Sequence, residues 1–351
     1  MPASSRIYLK PTGVLTGTAA ANACAAGIAA PLAGGPAAFS AGELIRRNGS
    51  AREVSVFGAS ALRAEAATAP LLSAASSRRP PFAGLVLDRP RIMGVINVTP
   101  DSFSDGGRYA EREKAIAHGL ALVDAGADIL DVGGESTRPG AAPVSIAEEL
   151  DRVVPVVAAL AEAGALISID TRHAAIMRAA LAAGARIVND VTALAGDTDS
   201  LSAVAKGDAA VVLMHMQGEP RTMQQEPSYV DAPLDIYDFF ADRLAACAAA
   251  GIDSSRIALD PGIGFGKRDP HNLAVLADLA LYHGLGCALV LGVSRKSFIG
   301  RLSRGEDAGN RLAGSLAAAL SGIERGAQIV RVHDVAETAQ ALAIWRAIAE
   351  S

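Results

Sequence analysis

The sequence predicts an α/β fold, a single (β/α)8 TIM barrel preceded by an accessory α+β segment. Three observations carry this. Short apolar runs that stop on a polar side chain recur eight times. Ala/Leu-rich stretches with helical spacing separate most of them. Several of those stretches close on a Gly-Ala pair, as at Gly126-Ala127, Gly164-Ala165, Gly184-Ala185 and Gly326-Ala327. Glycine there suits the left-handed residue that ends many helices. Alternation of strand and helix implies parallel strands with crossover helices. A doubly wound open sheet is the rival architecture. Eight repeats in roughly the 250 residues of such a barrel, with functional groups at the strand ends, favour closure.

In chain order, residues 1–88 form the accessory extension and residues 89–351 the barrel. The extension is rich in Ala, Gly, Ser and Pro, and no acid precedes Glu43. Arg6–Lys10 reads as a short strand and Pro11-Thr12-Gly13 as a turn. Ser40-Ala41-Gly42-Glu43 reads as a capping box opening a helix through Ile45. Val54–Phe57 reads as a second strand, and Ser76–Pro81 as a linker. The uncharged run Val14–Ala33 raises an export signal as a competing idea, but it lacks a leucine-dense centre. The barrel strands are Met93–Asn97, Ile129–Asp131, Leu166–Asp170, Ile187–Asp190, Ala210–Met214, Ile257–Asp260, Ala288–Ser294 and Ile329–His333. Helices are expected at Glu113–Ala125, Ala147–Ala163, His173–Ala183, Leu234–Ala250 and Gly309–Arg325.

Composition narrows the function. Half of the residues are hydrophobic and 20% charged, ordinary for a chain with a large core. A net charge of -5 argues against a nucleic-acid partner, which needs a basic stripe. No apolar run approaches the ~20 residues of a membrane span. Cys24, Cys247 and Cys287 are scattered and odd in number, the pattern of a reduced, cytoplasmic chain rather than a disulfide or metal framework.

The strand ends carry the chemistry. Asn97 offers a neutral oxygen that suits Mg2+, or alternatively caps the loop Val98–Gly107. Asp131 opens a glycine-flanked loop with Glu135, Thr137 and Arg138. That loop suits a transient anion, unless Glu135 and Arg138 simply pair. Asp170, Asn189 and Asp260 stand on converging tips, where buried acids need partners. Together they match the donors and acceptors of a pterin or purine edge. Gly262–Gly266 lacks the spacing of a dinucleotide loop. Met214 suits a flat ring, and His215 reads as a structural hydrogen-bonder. Ser294 and Lys296 follow a strand and open a helix, an anion-attracting end. Arg331 and His333 share one side of the last strand and, beside Asn97, form a diphosphate clamp.

From about Arg91 onward, these blocks in order resemble the dihydropteroate synthases, the folate-pathway enzymes of the pterin-binding barrel family. The resemblance implies displacement of diphosphate from (7,8-dihydropterin-6-yl)methyl diphosphate by 4-aminobenzoate. It implies that Asp131, Asn189, Asp260 and Lys296 hold the pterin, with Asp170 and Met214 lining the pocket. Asn97, Arg138, Arg331 and His333 would handle diphosphate and Mg2+. Thr137, Gly264, Phe265, Ser294 and Lys296 would shape the aminobenzoate site, which sulfonamides would occupy. A homodimer through barrel helices is also implied. A pterin-barrel methyltransferase and a non-catalytic pterin-binding paralogue are the alternatives. The first has no use for Arg138 or the Ser294–Lys296 block, and the second would lose the catalytic loops.

Overall fold

In the computed structural model, residues 6–98, 108–135, 144–219 and 222–350 are described. Four strands belong to the extension: β1 (Arg6–Leu15), β2 (Ala30–Pro31), β3 (Ala38–Asn48) and β4 (Ala51–Gly58). Eight build the barrel: β5 (Arg91–Asn97), β6 (Ile129–Gly133), β7 (Ile167–Asp170), β8 (Ile187–Asp190), β9 (Ala210–Met214), β10 (Ile257–Asp260), β11 (Ala288–Gly292) and β12 (Ile329–Val332). All pair in parallel, and β12 closes on β5 with Ile329 opposite Arg91. Closure removes the open-sheet alternative. The expected strands all exist, although β11 and β12 stop before Ser294 and His333. The expected helices are observed at Arg108–Asp124, Ile146–Glu162, Ala174–Ala182, Ala232–Ala249 and Leu312–Glu324. Asp269–Ala277 and Val335–Glu350 are further helices between or after strands.

Side chains alternate across each barrel strand. Outward residues such as Leu130, Ile169, Val188, Val211, Leu259 and Val330 pack beneath the helices. Inward residues Met93, Ile129, Ile187, Val212, Ala258, Val290 and Ile329 form an apolar floor, plugged from below by Phe82. Phe82 and Leu85 exchange backbone hydrogen bonds in a tight turn that holds this plug.

The extension departs from the sequence reading in three places. Ser40–Ile45 is not a helix start but part of β3, which pairs with β1 on one side and β4 on the other. Two ladders outweigh a four-residue capping signal, because tertiary pairing overrides local propensity. Pro11-Thr12-Gly13 is not a turn but lies within β1. Gly13, at φ 61°, kinks the strand where a Cβ would fall 2.4 Å from Ser40 Oγ. The segment Ser76–Pro81 is no loose linker either. Its buried Arg79 donates to the carbonyls of Ala74, His283 and Cys287. Val54–Phe57 does lie in a strand, β4.

This sheet packs on the barrel through shared core. Tyr8 and Ile45, both wholly buried, join the apolar cluster that contains Tyr237, Phe240 and Tyr282. Tyr8 meets Tyr237 edge to face at 5.1 Å.

Candidate active site

The alternation that builds the floor also aims the chemistry. Two residues beyond Ile129, Ile187, Val212, Ala258 and Ile329 come Asp131, Asn189, Met214, Asp260 and Arg331, one pleat higher and again inward. Asp170 lies beside Asn189 in register, and Asp260 beside Met214. The polar groups therefore converge at the C-terminal mouth of the barrel, the functional end of this fold.

Arg331 organises that mouth. Its Nε donates to Asp131 Oδ2 at 2.6 Å, and a terminal nitrogen donates to Asp170 Oδ2 at 2.7 Å. Asn189 Nδ2 donates to the same Asp131 oxygen at 3.0 Å. The other oxygen of Asp131, in a side chain with 0% exposure, has no hydrogen-bond partner among the described residues. Such an orphan acceptor costs free energy until a donor arrives. Burial raises the Asp170 carboxyl above its usual range, while Arg331 opposes the shift.

Across the mouth, Asp260 Oδ1 accepts from Gly262 N at 2.8 Å, and burial pushes this carboxyl up as well. The Lys296 ammonium stands 4.1 Å above the centre of the Phe265 ring, a cation–π contact. Burial pulls the lysine down to about 8, against the attraction of Asp260. Lys296 is the residue from which the short helix Ser297–Leu302 starts, and its side chain makes no cap hydrogen bond. Ser294 Oγ accepts from His333 N and lies 3.1 Å from its Nδ1. Burial and the charge of Arg331 lower His333 to about 4. That shift favours the neutral imidazole, which can still hydrogen-bond an anion. Among the described residues of the expected clamp, Arg331 is the one strong cation, and two carboxylates already engage it.

Sequence reasoning missed Lys267. It is buried, and its Nζ donates to the carbonyls of Gly262 (2.9 Å) and Phe265 (3.0 Å) and lies 2.9 Å from His215 Nδ1. It folds the Phe265 loop around itself, and burial brings it down to about 7. His215 is its structural partner, as the sequence suggested. No local signal marks a lysine after glycine as buried. In the same loop a Cβ at Gly266 (φ 59°) would fall 2.3 Å from Gln217 O, so glycine is needed there.

Asn97 is the exposed last residue of β5. Thr137 and Arg138 lie outside the described residues, as do 99–107 of the first loop. Glu135 is held by Arg172 through Nε at 3.1 Å, so the alternative in which it pairs with Arg138 has a competitor. Glu135, Glu149 and His173 also approach one another, with Arg172 neutralising the first. A cavity of about 430 Å³ opens at the opposite end of the barrel, but its acid, Asp128, is already bound by Arg89 and Arg91.

A family model described as pterin binding enzyme matches residues 93–333. The chain belongs to that family. Its members include dihydropteroate synthase of Escherichia coli (strain K12), 47% identical over 264 residues, which span 75% of this chain and 93% of the relative. Among solved structures, Xanthomonas albilineans dihydropteroate synthase with 4-aminobenzoic acid is 49% identical with a TM-score of 0.72, covering 76% of this chain and 96% of that one. The same organism's enzyme in complex with 7,8-dihydropteroate is 46% identical with a TM-score of 0.69, covering 75% and 95%. Within the pterin-binding family this chain is thus an enzyme of the transferase class, and the family match begins after the N-terminal sheet. Among the described residues no helix is long and apolar enough to cross a membrane.

Proposed function

We propose that this chain condenses (7,8-dihydropterin-6-yl)methyl diphosphate with 4-aminobenzoate, giving 7,8-dihydropteroate and diphosphate. The observation that carries the reading is the orphan oxygen of Asp131 beside Asn189 and opposite Asp260. A heterocycle edge rich in N–H groups supplies what that oxygen lacks. Asp131, Asn189, Asp260 and Lys296 hold the pterin, and Asp170 and Met214 line its pocket. Ser294, Lys296, Gly264 and Phe265, with Thr137, shape the aminobenzoate site. Arg138, Arg331 and His333 receive the diphosphate.

In the reaction the bond from the pterin methylene to diphosphate oxygen breaks, and a bond to the arylamine nitrogen forms. The amine loses one proton to solvent or to the departing group. Negative charge gathers on diphosphate where the preorganised Arg331 guanidinium and the imidazole of His333 can donate. The carboxylates of Asp131 and Asp260 favour the electron-poor ring. Asn97 suits Mg2+, because one neutral oxygen at an exposed strand end leaves the remaining positions to water and diphosphate. When bound there, the ion supplies further neutralisation of the leaving group. Aminobenzoate binds after diphosphate is held, and sulfonamides compete with aminobenzoate alone. Three free cysteines fit a cytoplasmic setting, and exposed Leu302 and Ile344 on late helices fit a homodimer.

A mixing assay tests the reaction. Diphosphate should appear only when both substrates and Mg2+ are present. Release that is indifferent to aminobenzoate would point to simple hydrolysis instead.

A further inference from the structure

We propose that the N-terminal sheet braces the aminobenzoate site, with Arg52 as the positioning residue that ties both flanks of Phe265 together. This rests on the reaction assigned above.

The cations of the sheet meet acids that already organise the active-site loops. Arg52 bridges Asp231 Oδ2 at 3.2 Å and Asp278 Oδ2 at 2.9 Å. Lys10 holds the other oxygen of Asp278 at 3.0 Å, and Arg47 holds Asp235 Oδ1 at 2.6 Å. The remaining oxygens face the barrel's own backbone. Asp231 Oδ1 accepts from Leu234 N and caps the helix Ala232–Ala249. Asp235 Oδ2 accepts from Val230 N and Asp231 N. Each of these two acids is a hinge pin, one oxygen for the loop and one for the sheet.

From these acids two short routes reach the loop after β10. On one side, Val230 adjoins Tyr229, whose hydroxyl donates to Gly266 O at 2.7 Å. On the other, Asp278 ends the helix Asp269–Ala277, whose buried Asn272 accepts from Gly264 N at 2.8 Å. Gly264 and Gly266 flank Phe265, the ring beneath Lys296. Arg52 thus connects the supports of both neighbours of that ring, although it touches no substrate group. Side-chain chains of this kind transmit energy when they hold two packed elements in one arrangement.

The test uses full-length chain and steady-state kinetics with diphosphate release. Arg52→Ala should raise KM for 4-aminobenzoate by about threefold to tenfold, with kcat and KM for the pterin diphosphate within about twofold. Arg52→Lys, able to reach one acid, should recover part of the loss. Arg6→Ala removes a cation on the same interface, paired with Asp238 one helical turn beyond Asp235 and not with Asp231 or Asp278, and should leave both KM values unchanged. An unchanged aminobenzoate KM in Arg52→Ala would overturn the brace, as would equal changes in both KM values. Absence of release by the wild-type chain would instead sink the assigned reaction, and the brace with it.

Discussion

Two regions of this molecule gather acids against cations, and they are finished differently. Where the N-terminal sheet meets the barrel, Asp278 has one oxygen on Lys10 and the other on Arg52. Asp231 and Asp235 divide theirs between arginines and backbone N–H groups. At the barrel mouth, Arg331 and Asn189 crowd one oxygen of Asp131, and the second has no partner among the described residues. Satisfaction, rather than charge, separates the sheet cluster from the candidate site. A buried acceptor left unpaired costs about 1–3 kcal/mol, which a complementary ligand can recover.

That contrast can be broken most forcefully at Arg331. Replacing it with alanine leaves Asp131 and Asp170 facing each other in the barrel mouth. Loss of one partner from a buried pair costs about 3–5 kcal/mol, so denaturant unfolding should show a fall of that order together with lost activity. Asp260→Ala should keep the fold while weakening pterin binding by about 10- to 100-fold, read by calorimetry, since a charged acceptor contributes roughly 1.5–3 kcal/mol. Normal pterin affinity in that variant would remove Asp260 from the site.

The sheet contact should answer oppositely. Tyr8→Phe removes a hydroxyl that lies 3.0 Å from both oxygens of Asp238. Stability should drop by about 1 kcal/mol with turnover unaffected. A large kinetic effect there would blur the distinction drawn above.

The smallest effect is a pH trend of opposite signs. Lys296 sits near 8 in the folded chain against an ordinary 10.5. Between those values the unfolded chain carries the proton and the folded chain does not, so this group's contribution makes stability rise with pH. Pterin affinity should fall across pH 8, as the ammonium is lost. In Lys296→Arg both trends should flatten, and parallel slopes in the wild type would contradict the assignment.

Much of this site could be read from sequence because a barrel strand has only two faces. Once Ile129, Ala258 and Ile329 are inward, Asp131, Asp260 and Arg331 must follow them. Closure then brings distant strand ends together without further information. The extension was harder, since its signals are local and its pairing is not. Ser40-Ala41-Gly42-Glu43 satisfies a capping pattern, yet a Cβ at Gly42 would fall 2.8 Å from Leu9 and 2.9 Å from Leu62, a close packing no tetrapeptide foretells. The downward shift of His333 is set first by burial, which no short motif shows, with the charge of Arg331 adding to it.

A crystal structure of the full chain with 7,8-dihydropteroate tests the central claim most directly. The expected result is a pterin edge donating to Asp131 Oδ1 and Asp260, with the aminobenzoate ring against Phe265 and Lys296. A product bound elsewhere, or one that leaves Asp131 Oδ1 without a donor, would contradict it.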